Sequence, residues 1–349
     1  MLTMDTWERT SRMLGLVGGG PLLSITPLAG GANNRVFLVE TEQRQLLLKA
    51  YFRDPADTRD RLKTEFDFCR YVWQKGVRSI PQPLASDPDA GLGLFEYVTG
   101  RISKPGEIDQ QAVEQAIAFF QDINRHRHDA DNAGLPDASE ACFSIRGHLD
   151  LVHKRIQRLE SMSLIEAIDS QAHYFVEHQL LPAWNKVLLC VHEQIGLYGL
   201  SLDAVLDQHD RCLSPSDFGY HNAIRQEDGS LKFVDFEYSG WDDPAKLICD
   251  FFCQPAVPVP QSYFEYFAQS IARCFVNAEF QRVRSVVLLP IYRMKWCCIV
   301  LNEFLPAGHR RRLFSQPEEQ TQRKIRQLDK ARTILSLITE CDLSRRNVA

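Results

Sequence analysis

Up to about residue 100, apolar positions come in short runs; from Ile108 onward they recur at helical spacing. Residues 1–20 read as a helix closed by Gly18-Gly-Gly20. Residues 22–28, 35–39, 45–52 and 92–98 read as strands, with a helix at 57–74 whose apolar face is Leu62, Phe66, Cys69, Val72 and Trp73. Pro81-Gln-Pro83 reads as a break. Residues 112–123 carry Val113, Ile117, Phe120 and Ile123 on one helical face. Residues 129–141 read as loop, and 147–159, 166–181 and 183–195 as helices. After a proline-marked break at 255–260, three helices are expected at 262–281, 283–305 and 317–341. No internal repeat or heptad run stands out.

Lys49 interrupts this pattern, because it lies mid-strand in Leu46-Leu-Leu-Lys-Ala-Tyr51. Lysine is seldom buried without a partner, so either its head reaches solvent at a strand edge or it meets an anion. Glu65, beside the apolar face of the following helix, is the available carboxylate.

Two later stretches gather the polar chemistry. In Leu213-Ser-Pro-Ser-Asp-Phe-Gly-Tyr-His-Asn222, Asp217 and Asn222 share one loop; in Lys232-Phe-Val-Asp-Phe-Glu-Tyr238 an apolar run delivers Asp235 and Glu237 at alternate positions. A strand there would aim both carboxylates to one side. Glu227-Asp-Gly-Ser230 between them is a hairpin turn signal. Hard oxygen ligands gathered on a hairpin suit magnesium carrying a nucleotide phosphate.

The order of these features resembles the protein-kinase-like phosphotransferases, and the wording is similar to the aminoglycoside phosphotransferase and choline kinase branch, with its His-x-Asp-x4-Asn loop and Ile-Asp-Phe/Trp-Glu strand. The resemblance covers roughly residues 25–255. It implies an α+β, protein-kinase-like two-lobe fold: a small antiparallel-sheet lobe at 1–98 and a large, mostly helical lobe at 99–349. It also implies ATP and Mg2+, with Asp217 as the base for an acceptor hydroxyl and Asn222 and Asp235 on the metal. Glu237 would hold a second ion or a bridging water. Lys49 would clamp the α- and β-phosphates, held by Glu65, and Gly30 and Gly31 would lie in the loop over the nucleotide. The adenine edge would bond main-chain atoms near Glu96 and Val98, and Asp250 would prop the catalytic loop. One departure is Pro215, which stands where the family has histidine. The chain has no Walker loop and no Ala-Pro-Glu after Asp235, which disfavours protein substrates.

The acceptor stays open: a sugar, an amino alcohol or an aminoglycoside-like molecule. Tyr238, Trp241 and Trp296 are available as an aromatic face for a quaternary ammonium. The Ser-Pro-Ser-Asp wording favours a metabolic small-molecule kinase over a resistance enzyme. Loss of the loop histidine is the one support for a non-catalytic nucleotide-binding pseudokinase.

Composition narrows this little further. The 349 residues are 44% hydrophobic and 24% charged, with net charge −5, which disfavours nucleic acid as partner. No uninterrupted apolar run approaches a membrane span and residues 1–12 lack a signal core, so a cytoplasmic location is expected. The ten cysteines include no Cys-x-x-Cys and read as free thiols. His309-Arg-Arg-Arg312 reads as a solvated turn.

Overall fold

The computed structural model describes residues 4–28, 34–53, 59–129, 134–305 and 320–341. Gly30, Gly31 and the run at His309–Arg312 lie outside the described residues.

The first lobe is a five-stranded antiparallel sheet. β1 (Leu22–Pro27), β2 (Arg35–Thr41), β3 (Gln45–Ala50), β4 (Pro83–Asp87) and β5 (Leu92–Glu96) lie in the order β1-β2-β3-β5-β4. β4 falls where the prolines suggested a break; an edge strand tolerates proline at its first position because one side needs no ladder donor. Helix α1 (Met4–Leu16) covers one face, where Met13 and Leu14 meet Val39, Leu46, Leu48 and Leu94. Helix α2 (Arg61–Gln74) covers the other. It starts at Asp60, whose side chain caps the Lys63 N–H. Its buried face includes Glu65, Phe68 and Cys69, while Phe66 and Trp73 are only half-buried. The inward stripe is thus rotated from the expected one.

The second lobe is mostly helical. α3 (Gln110–Asn124) and α4 (Ile145–Glu160) match the expected periodicity. α5 (Ala167–Phe175) and α6 (Leu181–Leu197) were expected as separate helices. A π-helical turn at Val176–Leu180 joins them continuously. The widened turn accommodates Pro182, which has no N–H to give the preceding carbonyls.

α7 (Pro244–Cys253), α8 (Phe264–Ala272), α9 (Ala278–Leu301) and α10 (Gln320–Cys341) complete the lobe, with α9 packed against α4, α7, α8 and α10. The stretch Ala278–Phe304 is long and apolar enough to cross a membrane by length and composition, but 78% of its most apolar window is buried inside the protein. Core position explains that composition, and buried Arg284, Arg293 and Lys295 on the same helix meet partners in the protein.

Short ribbons carry the polar stretches. β6 (Arg101–Ile102), β8 (Ala223–Arg225) and β9 (Leu231–Phe233) form one antiparallel sheet. β7 (Cys212–Ser214) pairs with β10 (Gly240–Asp242), setting Ser214 opposite Gly240. The loops after β7 and before β10 are therefore held together. Gly240 has φ 155°, and a Cβ there would lie 2.2 Å from the Pro136 carbonyl oxygen, so the backbones meet only at glycine.

Candidate active site

Alternation along β3 turns Leu46 and Leu48 toward α1, leaving Leu47 and Lys49 to face α2 and the second lobe. Lys49 is 5% exposed, and its ammonium donates to Glu65 Oε2 at 2.6 Å and to Asp235 Oδ1 at 2.5 Å. The Tyr51 hydroxyl donates to the same Glu65 oxygen at 2.7 Å, and the Phe236 amide donates to Glu65 Oε1 at 3.2 Å. Burial alone would favour neutral Lys49, but Asp235, Glu65 and Glu237 outweigh it and raise its pKa well above the ordinary value. Burial pushes the Glu65 carboxyl up, against the pull of Lys49, and Asp235 adds to the rise.

Asp217 follows β7. Asn124 of α3 clamps Leu213 from both sides, accepting its N–H at 2.8 Å and donating to its carbonyl at 3.0 Å. Pro215 is buried, and its carbonyl accepts the Asp217 N–H at 2.9 Å. Ser216 sits at φ 67°, a conformation that costs a non-glycine residue about 1–3 kcal/mol and persists only where its surroundings enforce it. The Ser216 N–H to Ser214 Oγ bond (3.0 Å) and the packing of Phe218 between Phe119, Phe233 and Phe251 do so here. Burial opposes the charge on Asp217; the His221 imidazole, Asn222 and Lys295 more than offset it and hold its carboxyl below the ordinary value.

Asn222 donates its side-chain N–H to the Asp217 carbonyl at 3.0 Å, while its own carbonyl accepts the Val234 N–H at 2.9 Å. The β8–β9 ladder is thereby extended by one step, bringing Asn222 beside the residue that precedes Asp235. Asp235 has φ 69°, and its side chain is 37% exposed. The Asn222 side-chain oxygen Oδ1 and the second Asp235 oxygen remain for a cation. Among the described residues no three His, Cys, Asp or Glu gather as a metal cage. That donor set fits magnesium arriving with a phosphate chain, which needs few protein oxygens.

Residues 24–253 match the phosphotransferase enzyme family. The chain belongs to that family. No curated protein matches it. Among solved structures, it is similar to spectinomycin phosphotransferase APH(9)-Ia in complex with ADP and spectinomycin, at 11% identity and TM-score 0.61, over 95% of this chain and 97% of that one. The choline kinase LicA from Streptococcus pneumoniae aligns at 15% identity and TM-score 0.55, over 95% and 99%. Plasmodium vivax ethanolamine kinase aligns at 13% identity and TM-score 0.55, over 91% and 83%. The α+β two-lobe fold is common to all of them.

In this phosphotransferase Glu237 departs from expectation. β9 ends at Phe233 and Asp235 is left-handed, so strand alternation does not reach residue 237. The Glu237 side chain is fully enclosed; Oε2 accepts from Asn34 at 2.7 Å and lies 3.9 Å from the Arg61 guanidinium. It ties the lobes together instead of offering oxygens to a metal. Glu96 also has protein partners: its carboxylate accepts the Gln82 N–H at 3.0 Å and faces Lys232 at 3.5 Å. Val98 is half-buried, and among the described residues its main chain has no protein partner, which leaves it free for an adenine edge. Asp250 does not prop the catalytic loop; it accepts from Lys295 at 2.9 and 3.0 Å and from Trp296 Nε1 at 2.9 Å. Asp243 caps α7 through the Ala245 N–H at 2.7 Å and pairs with Arg284 and His148.

Residues 136–139 wall the region beside Asp217. Ser139 donates its N–H to the Tyr238 carbonyl at 2.9 Å and accepts from Ser216 Oγ at 3.4 Å. Behind this wall each carboxylate has a cation: Asp242 with Lys246 at 2.5 Å, Asp250 with Lys295, and Glu140 with Arg155. The three aromatic residues do not share one face. Tyr238 has Arg59 and Arg61 over its ring at 5.3 and 5.6 Å, Trp241 is buried, and Trp296 donates to Asp250.

Glu140 gives this wall a pH signature. Burial would raise its carboxyl, but Arg155, Lys295 and Lys246 hold it down to about 2 from an ordinary 4.5. A depressed carboxyl contributes stability above its ordinary value and loses it as pH falls through the folded value. Glu140→Gln is therefore expected to melt below the wild type at neutral pH by roughly 1 kcal/mol or somewhat more, given its partial exposure. The two melting curves should converge toward about pH 2, which a melting series across pH will check.

Of the residues singled out in the sequence, the structure brings Lys49, Glu65 and Asp235 into contact, and Asp217 with Asn222. Not singled out from the sequence were Tyr51, which holds Glu65, Asn124, which clamps Leu213 ahead of Asp217, and Asn34 and Arg61, which meet Glu237. Asn124 could have been noticed as an amide ending an otherwise apolar helical face, and Arg61 as a charged residue opening α2. Tyr51 and Asn34 gave no signal.

Proposed function

We propose that this chain transfers the γ-phosphoryl group of ATP, bound with Mg2+, to a hydroxyl of a neutral, polyhydroxylated small molecule. The observation that carries the reading is the Lys49–Asp235 pair at 2.5 Å, which joins residues 186 positions apart and ties the sheet lobe to the acidic loops of the helical lobe. Lys49 would bind the phosphate chain, with Glu65 holding the ammonium in place. Asn222 and Asp235 would hold the magnesium, which supplies positive charge against the β- and γ-phosphates. Asp217, held ionised, accepts the hydroxyl proton as that oxygen bonds to phosphorus and ADP leaves.

A neutral acceptor is supported by the pairing of Glu140, Asp242 and Asp250 with Arg155, Lys246 and Lys295, which compensates the negative charge of those three carboxylates and weakens their pull on a polycation. Separate partners for Tyr238, Trp241 and Trp296 weigh against a quaternary ammonium cage. A screen of sugars, amino alcohols and aminoglycosides for ADP release tests the reading. Sugars or related polyols should give the highest kcat/KM, and Asp235→Ala should abolish magnesium-dependent ATP binding in calorimetry. Turnover confined to aminoglycosides would sink the acceptor assignment; intact magnesium-dependent binding in that variant would sink the metal assignment.

A further inference from the structure

The reaction needs one Asp217 oxygen turned toward the acceptor. In this chain Pro215 occupies the position two residues before Asp217 and has no side-chain donor. The structure supplies an imidazole from the other side of the loop. His221 lies on the short 3-10 turn Tyr220–Asn222, with Nε2 3.2 Å from Asp217 Oδ1. Its ring rests directly on Gly219, where a Cβ would come within 2.8 Å of Nδ1 and 2.9 Å of Cε1. Gly219 has φ 170°, ordinary extended backbone, so what requires glycine there is the ring above it and not the backbone angle. Nδ1 is enclosed and has no hydrogen-bond partner among the described residues.

These contacts fix the tautomer. An N–H at enclosed Nδ1 would have no acceptor, so the proton of the neutral ring belongs on Nε2, where Asp217 receives it. We propose that His221 is a positioning residue: its Nε2–H holds Asp217 Oδ1, leaving Oδ2 to face the acceptor hydroxyl. The proposal rests on the reading of Asp217 as the acceptor-facing carboxylate. The next residue, Asn222, secures the Asp217 carbonyl at 3.0 Å. One turn thus anchors both the side chain and the carbonyl of Asp217, and the hold on the side chain is one for which Pro215 has no donor.

Displacing a reacting group by about 1 Å costs on the order of 100-fold in rate. His221→Ala is therefore expected to lower kcat with the best acceptor of the screen by roughly 10- to 100-fold, with ATP·Mg2+ affinity unchanged in calorimetry. His221→Gln, whose amide N–H can reach the same oxygen, should recover most of the loss. Gly219→Ala, which pushes the ring away without removing it, should reproduce the alanine effect. In histidine-labelled protein, long-range proton–nitrogen spectra should show His221 as the Nε2–H tautomer, with its signals moved by Asp217→Asn.

An unchanged kcat in His221→Ala would overturn the proposal, as would a matching loss of ATP affinity, a glutamine variant no better than alanine, or an Nδ1–H tautomer. Failure of the wild type to release ADP with any acceptor would instead count against the phosphotransfer reading, and the spectra would still decide whether His221 holds Asp217.

Discussion

Asp217→Asn is expected to reduce acceptor-dependent ADP release by about 100- to 10,000-fold, the usual range for removing a positioned general base. Affinity for ATP with magnesium should stay near that of the wild type. Asp217 touches His221 and Asn222, whereas Lys49, Glu65 and Asp235 form a separate connected set. Removing the carboxylate charge therefore leaves Lys49, to which the phosphate-binding role is proposed, and its partners in place. Because the fold holds the Asp217 carboxyl below its ordinary value, the wild type gains stability from it at neutral pH and loses that gain in acid. The variant should accordingly melt slightly lower than the wild type at neutral pH, and the gap should close on acidification. Single-turnover kinetics alongside calorimetry separate these effects. Near-normal turnover would remove Asp217 from the chemistry, whereas a parallel loss of nucleotide affinity would mean that the two sets are coupled.

The residues that could be found from sequence are those whose chemistry conflicts with their surroundings. A lysine among leucines on β3 demanded a partner, and Glu65 was the only carboxylate beside the inward face of the next helix. Asp217 and Asn222 were visible through spacing. What sequence could not supply was geometry beyond regular elements. Alternation put Asp235 and Glu237 on one side, but it holds only while the strand lasts. β9 stops at Phe233, and the left-handed Asp235 then sends the next side chains elsewhere. Phe236 stacks against Phe68 of α2 at 5.3 Å, and Glu237 goes inward to Asn34 and Arg61. The stripe on α2 was misjudged for a related reason. Its inward direction is set by Glu65 and Phe68 reaching the loop of Asp235 and Phe236, a contact between residues 171 positions apart in the case of Glu65 and Phe236. β4 was hidden by prolines that an edge strand accepts, and the α5–α6 junction by one that a π turn absorbs.

Lys49→Met tests the other half of the site and should combine the loss of nucleotide use with a pH-dependent loss of stability. In the wild type the ammonium faces two carboxylates at 2.5 and 2.6 Å. Its raised pKa means that its contribution is complete below the ordinary lysine value and fades only in strong alkali, so all of it is present at neutral pH. Removing one partner of a buried ion pair costs roughly 3–5 kcal/mol, because the remaining charge loses its compensation. In the variant, Glu65 and Asp235 confront each other. Glu65, already pushed up by burial and by Asp235, then takes up a proton more readily still. A raised carboxyl stabilises the fold below its unfolded pKa and ceases to do so as pH rises through the folded value. The melting deficit of Lys49→Met should therefore shrink as pH falls toward the ordinary carboxyl range of about 4. Adding Glu65→Gln should restore stability instead of costing more, because the amide can still meet the Tyr51 hydroxyl without a buried charge. Turnover should stay low in both variants, since neither has a cation for the phosphates. A deficit independent of pH, with the second substitution simply adding its own loss, would show that Lys49 and Glu65 are not the coupled pair on which the phosphate site is built.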